Sequence, residues 1–149
     1  MKKPDERGVS AVEFALLLPL LLLILFGIIE FGLILYDKAV ITNASREVAR
    51  AAIALGTNAT DIQQIKDDVI LKYGNNVFSF RDNSELVSAN IVITPTLGCA
   101  NSTPAFGNPI QINIRYDYTF LVLSPIVGLF GGTWDPNLPI EATTTMRCE

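Results

Sequence analysis

With 149 residues and a net charge of −4, the chain has room for one anchor helix and one small soluble domain of about 95 residues, enough for a modest core. There is no histidine, which removes the usual general base near neutral pH and the commonest metal ligand. No basic patch stands against the acidic total, which excludes the electrostatic footprint of a nucleic-acid-binding protein.

Residues 1–8 read as a short charged leader, and residues 9–36 as a membrane span. Phe14 to Ile29 is an unbroken apolar run, separated from Leu33–Tyr36 only by Glu30, Phe31 and Gly32. At 1.5 Å per residue, Phe14–Tyr36 is about 34 Å long, enough to cross a hydrocarbon core of about 30 Å. Lys2, Lys3 and Arg7 precede the span, whereas Asp37 and Lys38 cancel beyond it, so the positive-inside tendency places the N-terminus in the cytoplasm. An ordinary cleaved secretory signal fits less well. The apolar run is long for an h-region, and no small-residue cleavage site follows it promptly. No cysteine lies near the span, which excludes a lipoprotein anchor.

Glu13 opens the span, and an ionised carboxylate there is costly unless something pairs with it. Its bland explanation is a place at the headgroup boundary, favoured by the helix N-terminus. Pro19 is tolerated in a membrane helix as a kink, and Gly27 and Gly32 are points of close approach for a partner helix. For Glu30 the sequence favours a place near the outer interface, where a slight tilt lets the carboxylate reach water, over a specific pairing.

From Asp37 the helix is expected to leave the membrane without a break. Ile41, Ala44, Val48, Ala52 and Leu55 follow three-and-four spacing and form one apolar stripe. Alanine makes that stripe too weak for a coiled coil, so its expected partner is a sheet of the same chain. Gly56 ends the helix. Thr60-Asp61-Ile62-Gln63 predicts a capping box for a short second helix, with Ile62, Ile65, Val69 and Tyr73 inward and Gly74 as its stop.

The period then changes to two. Val87, Ala89, Ile91 and Ile93 alternate with mostly polar neighbours up to Pro95, and Ile110–Phe120 alternates without a fault. Ile140, Ala142, Thr144, Met146 and Cys148 alternate again. Three strands with one apolar face each predict an antiparallel sheet covering the helix stripe, an α+β fold. In a three-strand meander Cys99 and Cys148 meet at one edge, and outside the cytoplasm an oxidised pair is expected. The alternative is two unrelated thiols. A metal site is not completed by two cysteines without histidine.

The connection Leu121–Pro136 is unusually apolar for a surface loop. In the predicted topology it lies at the membrane-proximal end, where Phe130 and Trp134 suit the headgroup zone. Docking onto an adjacent subunit is an equal rival, and plain packing beneath the sheet is the bland alternative. Catalytic constellations are missing: no phosphate-binding glycine loop, no G-x-S-x-G elbow and no histidine to activate a nucleophile. Asp67, Asp68 and Asp135 read as solvated acids. The N-x-[ST] triplets at Asn43, Asn58 and Asn101 carry no assigned role. No cofactor is implied.

Arg7-Gly8, Val12-Glu13-Phe14-Ala15, Pro19, Gly27, Glu30-Phe31-Gly32 and Ala49-Arg50 together resemble the TadE-like family of Tad (Flp-type) pilus proteins, over residues 7 to about 53. The resemblance implies a pilin-like α+β fold and a minor pilin or pseudopilin, inserted in the bacterial inner membrane with its C-terminal domain, residues 37–149, outside the cytoplasm. It further implies cleavage by a prepilin peptidase at Gly8–Val9, and assembly through Glu13 and Phe14. Glu13 of one subunit then neutralises the Val9 amine of a neighbour. The partners it implies are that peptidase, other pilin or pseudopilin subunits, the inner-membrane assembly platform and membrane lipid. Type IV pilins usually present phenylalanine where this chain has Val9. Two other functions stay open: an unprocessed membrane-anchored assembly factor, and an unrelated signal-anchored periplasmic ligand-binding or accessory domain.

Overall fold

The computed structural model describes residues 6–54, 59–77, 86–96, 98–101, 107–121 and 137–148, with the single positions 123 and 128. Helix α1, Glu6–Ala54, runs for 49 residues through Pro19 without a break, a length of about 73 Å. Helix α2 is Ala59–Tyr73. Strands β1 (Ile91–Thr94), β2 (Pro109–Thr119) and β3 (Asn137–Arg147) form one antiparallel sheet in the order β1-β2-β3. The expected α+β architecture is therefore present: a long apolar helix, a short second helix and a three-stranded meander.

The core forms where the two periodicities meet. Ile41, Ala44, Val48 and Ala52 on α1 are fully buried, one residue per helical turn on one face. Facing them are Ile91 and Ile93 of β1, Ile110, Ile112, Ile114, Tyr116 and Tyr118 of β2, and Ile140 and Ala142 of β3. Alternate residues of β2 point inward without exception from Ile110 to Tyr118. The alanines let the helix lie close to the sheet. At that close approach the Ser45 hydroxyl donates to the Thr42 carbonyl at 2.8 Å and lies 2.7 Å from the Thr144 hydroxyl. Ile62, Ile65 and Val69 of α2 close the side of the core, with Tyr73 half-buried.

Two local expectations shift. Helix α2 begins at Ala59, one residue ahead of Thr60, so Thr60 lies inside the helix and not at its cap. The first strand is shorter than its alternation predicts: Ser88–Asn90 is a 3-10 turn, and Val87 and Ala89 are exposed. Asn90 is the cause. Its side-chain oxygen accepts the Val87 N–H at 2.9 Å, while its own N–H donates to the Val87 carbonyl at 2.9 Å. Such local bonding competes with the strand ladder.

Cys99 and Cys148 are joined, with Cα atoms 5.7 Å apart and a sequence separation of 49. Next to the bridge, Gly107 N–H donates to the Cys148 carbonyl and Cys148 N–H to the Asn108 carbonyl, carrying the β2–β3 ladder to the staple. Gly107 has φ +83° there, a conformation that glycine adopts without steric cost.

A cross-link closing a loop of this length stabilises by about 4 kcal/mol in the chain-entropy account. Cys148→Ser should lose most of that in urea unfolding of the detergent-solubilised protein. Mass spectrometry of unreduced wild type should find no alkylatable thiol.

Candidate membrane anchor and helix–domain clasp

The apolar run of α1 up to Ile29 is largely exposed. Val9, Val12, Phe14 and nearly every leucine and isoleucine through Ile29 are exposed. This helix is long and apolar enough to cross a membrane. Gly8, Val9, Glu13 and Phe14 all lie in its first turns and are exposed. Val9 and Glu13, four residues apart, share one face, as helical periodicity requires. A Cβ placed at Gly8, Gly27 or Gly32 meets no atom within 4 Å, so these positions are open to a close neighbour.

The domain takes hold of the helix at Glu30. Its side chain is only 1% exposed, and one carboxylate oxygen accepts two hydrogen bonds, from the Tyr118 hydroxyl at 2.9 Å and the Leu121 backbone N–H at 2.6 Å. The expectation that Glu30 reaches water by tilt is therefore corrected: the end of β2 folds over it. A buried carboxylate without donors is costly, and here the domain supplies them. Two turns farther along, Asp37 is also fully buried. The Tyr118 phenol is pushed well above the ordinary tyrosine range, first by burial, then by its bond to Glu30 and by the negative charges of Glu30 and Asp37.

Sequence reasoning did not find Tyr118, Leu121 or Asp37. A signal was present: the inward face of β2 is isoleucine until its last two positions, which are tyrosines. Two hydroxyls at one end of an apolar face need polar partners, and α1 carries acids at Glu30 and Asp37.

Farther from the span, the Lys72 ammonium meets one Glu47 carboxylate oxygen at 2.7 Å, and the Tyr73 hydroxyl donates to the other at 2.6 Å. The bonds from Lys72 and Tyr73 hold Glu47 below the usual carboxylate range, and the Glu47 bond raises Tyr73. This tie between α1 and α2 is solvated, with the Lys72 side chain 59% exposed, and its role is structural. Gln63 donates to Asp67 at 3.0 Å on an exposed helix face, and Asp68 is exposed. Among the described residues, no group of three or more His, Cys, Asp or Glu could hold a metal ion. Phe130, Trp134 and Asp135 lie outside the described residues.

Residues 8–50 match the family described as TadE-like protein. Over those residues the chain is similar to that family. The match begins at the glycine ahead of Glu13 and ends within α1, before α2 and the sheet. No curated protein and no solved structure matches the chain. The matched stretch lies wholly within α1, and Glu30 is the residue of that stretch that the sheet grips.

Because the folded-state Tyr118 phenol is raised above its unfolded value of about 10, its contribution to stability is complete below that pH and declines as pH rises beyond it. Absorbance titration at alkaline pH should show a late tyrosine component that Tyr118→Phe removes. The same variant should lose about 1.5–3 kcal/mol of stability near neutral pH, the range for a hydrogen bond to a charged group.

Proposed function

We propose that this chain is a minor pilin or pseudopilin of a Tad-type pilus and secretion system. The observation that carries the proposal is the coincidence of the TadE-like match with the exposed apolar part of α1. The helix anchors the protein in the bacterial inner membrane, N-terminus in the cytoplasm and sheet domain on the far side. The role is structural, not catalytic. Its first helical turns act as the processing and assembly signal: a prepilin peptidase cuts between Gly8 and Val9, and the anchor becomes residues 9–36. The Glu13 carboxylate then takes up the Val9 amine of a neighbouring subunit, so that neither charge faces lipid alone. Phe14 packs beside it.

Partners are other pilin or pseudopilin subunits and the inner-membrane assembly platform, with lipid around the helix before assembly. Phe130 and Trp134 belong to the connection that leaves β2 beside Glu30 and rejoins the sheet at Asn137. In this proposal they meet the headgroups or a neighbouring subunit.

N-terminal sequencing of protein taken from membranes is the direct test, with Val9 as the expected first residue. Gly8→Val should leave the precursor uncut. Mature material beginning at Met1 would replace the pilin proposal with an unprocessed assembly factor, and a start beyond residue 40 would indicate a secreted domain.

Glu13→Ala should insert into the membrane as wild type does, but fail to enter an assembly when co-expressed with the other pilus components. Normal incorporation of that variant would return Glu13 to a headgroup-boundary role.

A further inference from the structure

Several features of α1 and the sheet share one depth along the helix axis. Val9 to Ile29 covers about 31 Å of helix, close to a hydrocarbon core of about 30 Å. Directly after it the helix has two characters. On one side Glu30, Leu33, Ile34 and Asp37 are covered wholly or partly by the domain. On the other, Phe31, Leu35 and Tyr36 stay exposed. From Glu30 to Tyr36, therefore, the helix still presents an apolar outer face while the sheet already covers its inner face.

The end of the sheet at this depth exposes apolar side chains beside the hydrogen-bonded Thr119–Asn137 pair. Tyr118 bonds to Glu30 and pairs across the ladder with Leu138. Leu121, whose N–H also bonds to Glu30, is 39% exposed, and Leu138 is 36% exposed. Phe120 lies between them in level, half-buried and edge-on to the Tyr118 ring at 5.8 Å. The opposite end of β2 and β3 is different, with Gln111 and Thr145 exposed as a cross-strand pair.

We propose that the Glu30 end of the sheet, through Leu121 and Leu138, is a second lipid contact that rests in the headgroup zone of the bilayer crossed by α1. This rests on the membrane-anchor role proposed above. Lipid is the occupant because Phe31, Leu35 and Tyr36, at the same depth and continuous with the lipid-facing span, need an apolar neighbour. A sheet end of mixed apolar and polar character fixed beside them suits the same interfacial layer. Glu30 holds it there. A free carboxylate at that depth would draw the helix outward toward water. Bonded to Tyr118 and Leu121, it lets the helix and the sheet end sit together in the interface. The domain is then seated on the membrane at two places, and its orientation is fixed before any assembly.

The test uses the full chain reconstituted in vesicles of phosphatidylethanolamine and phosphatidylglycerol. A small environment-sensitive fluorophore is attached to a cysteine introduced one at a time at Leu20, Asn113, Leu121 or Leu138. Lipids carrying a quencher just below the headgroups should halve the emission at Leu121 and Leu138, and leave Asn113 unchanged. Leu20 should respond to a quencher placed deep in the acyl chains. If Leu20 responds while Leu138 and Leu121 behave like Asn113, the lipid contact is overturned and the anchor stands. If Leu20 does not respond, the anchor itself is wrong, and the contact falls with it. Efficient disulfide cross-linking of Leu138→Cys between two copies, with no lipid quenching, would also overturn the proposal and assign this end to a subunit interface. Tyr118→Phe, a conservative change, should reduce the Leu138 quenching without altering Leu20. Unchanged quenching at Leu138 in that variant would overturn the positioning role of Glu30.

Discussion

A single helix in this protein has two halves of opposite character. Along its first half the apolar side chains are exposed and long enough in their run to cross a membrane, and the backbone is satisfied by its own hydrogen bonds. Along its second half only one stripe is apolar, and that stripe is buried by a sheet. Nothing in the backbone marks the change, since α1 is continuous from Glu6 to Ala54. The transition is marked by a side chain: at Glu30 the domain first supplies donors to a carboxylate of the helix.

The rest of the domain follows from that starting point. Contacts along α1 advance in step with β3 and against β2. Glu30 meets Tyr118, Lys38 Nζ donates to the Glu141 carbonyl, and Ser45 meets Thr144. The Tyr118 and Thr144 positions are linked by the ladder, Leu138 opposite Tyr118 and Thr144 opposite Ile112. Fifteen helical residues from Glu30 to Ser45 rise about 22 Å, and the six strand residues from Leu138 to Thr144 rise about 20 Å. The two elements therefore run side by side at matched length. The disulfide closes the far end and the Glu30 hydrogen bonds close the near end, with the isoleucine-rich core between them.

Much of this was legible in the residues. The stripe Ile41, Ala44, Val48, Ala52 and the alternation of β2 each bury the face that their period demands, and the two cysteines meet where a meander places them. Periodicity worked because it depends only on each element having one wet side. It failed at Val87 and Ala89, where Asn90 offered the backbone a local partner that hydropathy does not register. It also missed the Glu30 pairing, because a charge in an apolar run has the same appearance whether it faces water or a tyrosine eighty-eight residues away. Only the tyrosines at the end of an otherwise aliphatic face hinted at the answer. The proposed processing residues Gly8 and Val9 and the proposed assembly residues Glu13 and Phe14 are the opposite case: the structure places them on an exposed helix, and their proposed roles rest on the resemblance to the TadE-like pattern.

The matched, co-directional run of α1 and β3 has a mechanical consequence. A tension applied along α1 is transmitted to the sheet as shear, spread over the Glu30, Lys38 and Ser45 contacts and the buried stripe together. Ties loaded side by side have to yield nearly at once, whereas ties loaded end to end yield one after another. Beyond β3 the load passes through the covalent bridge at Cys148 to Cys99, near the end of β1. The domain is thus braced along the axis of α1, and its weak direction is a peeling motion of the sheet away from the helix.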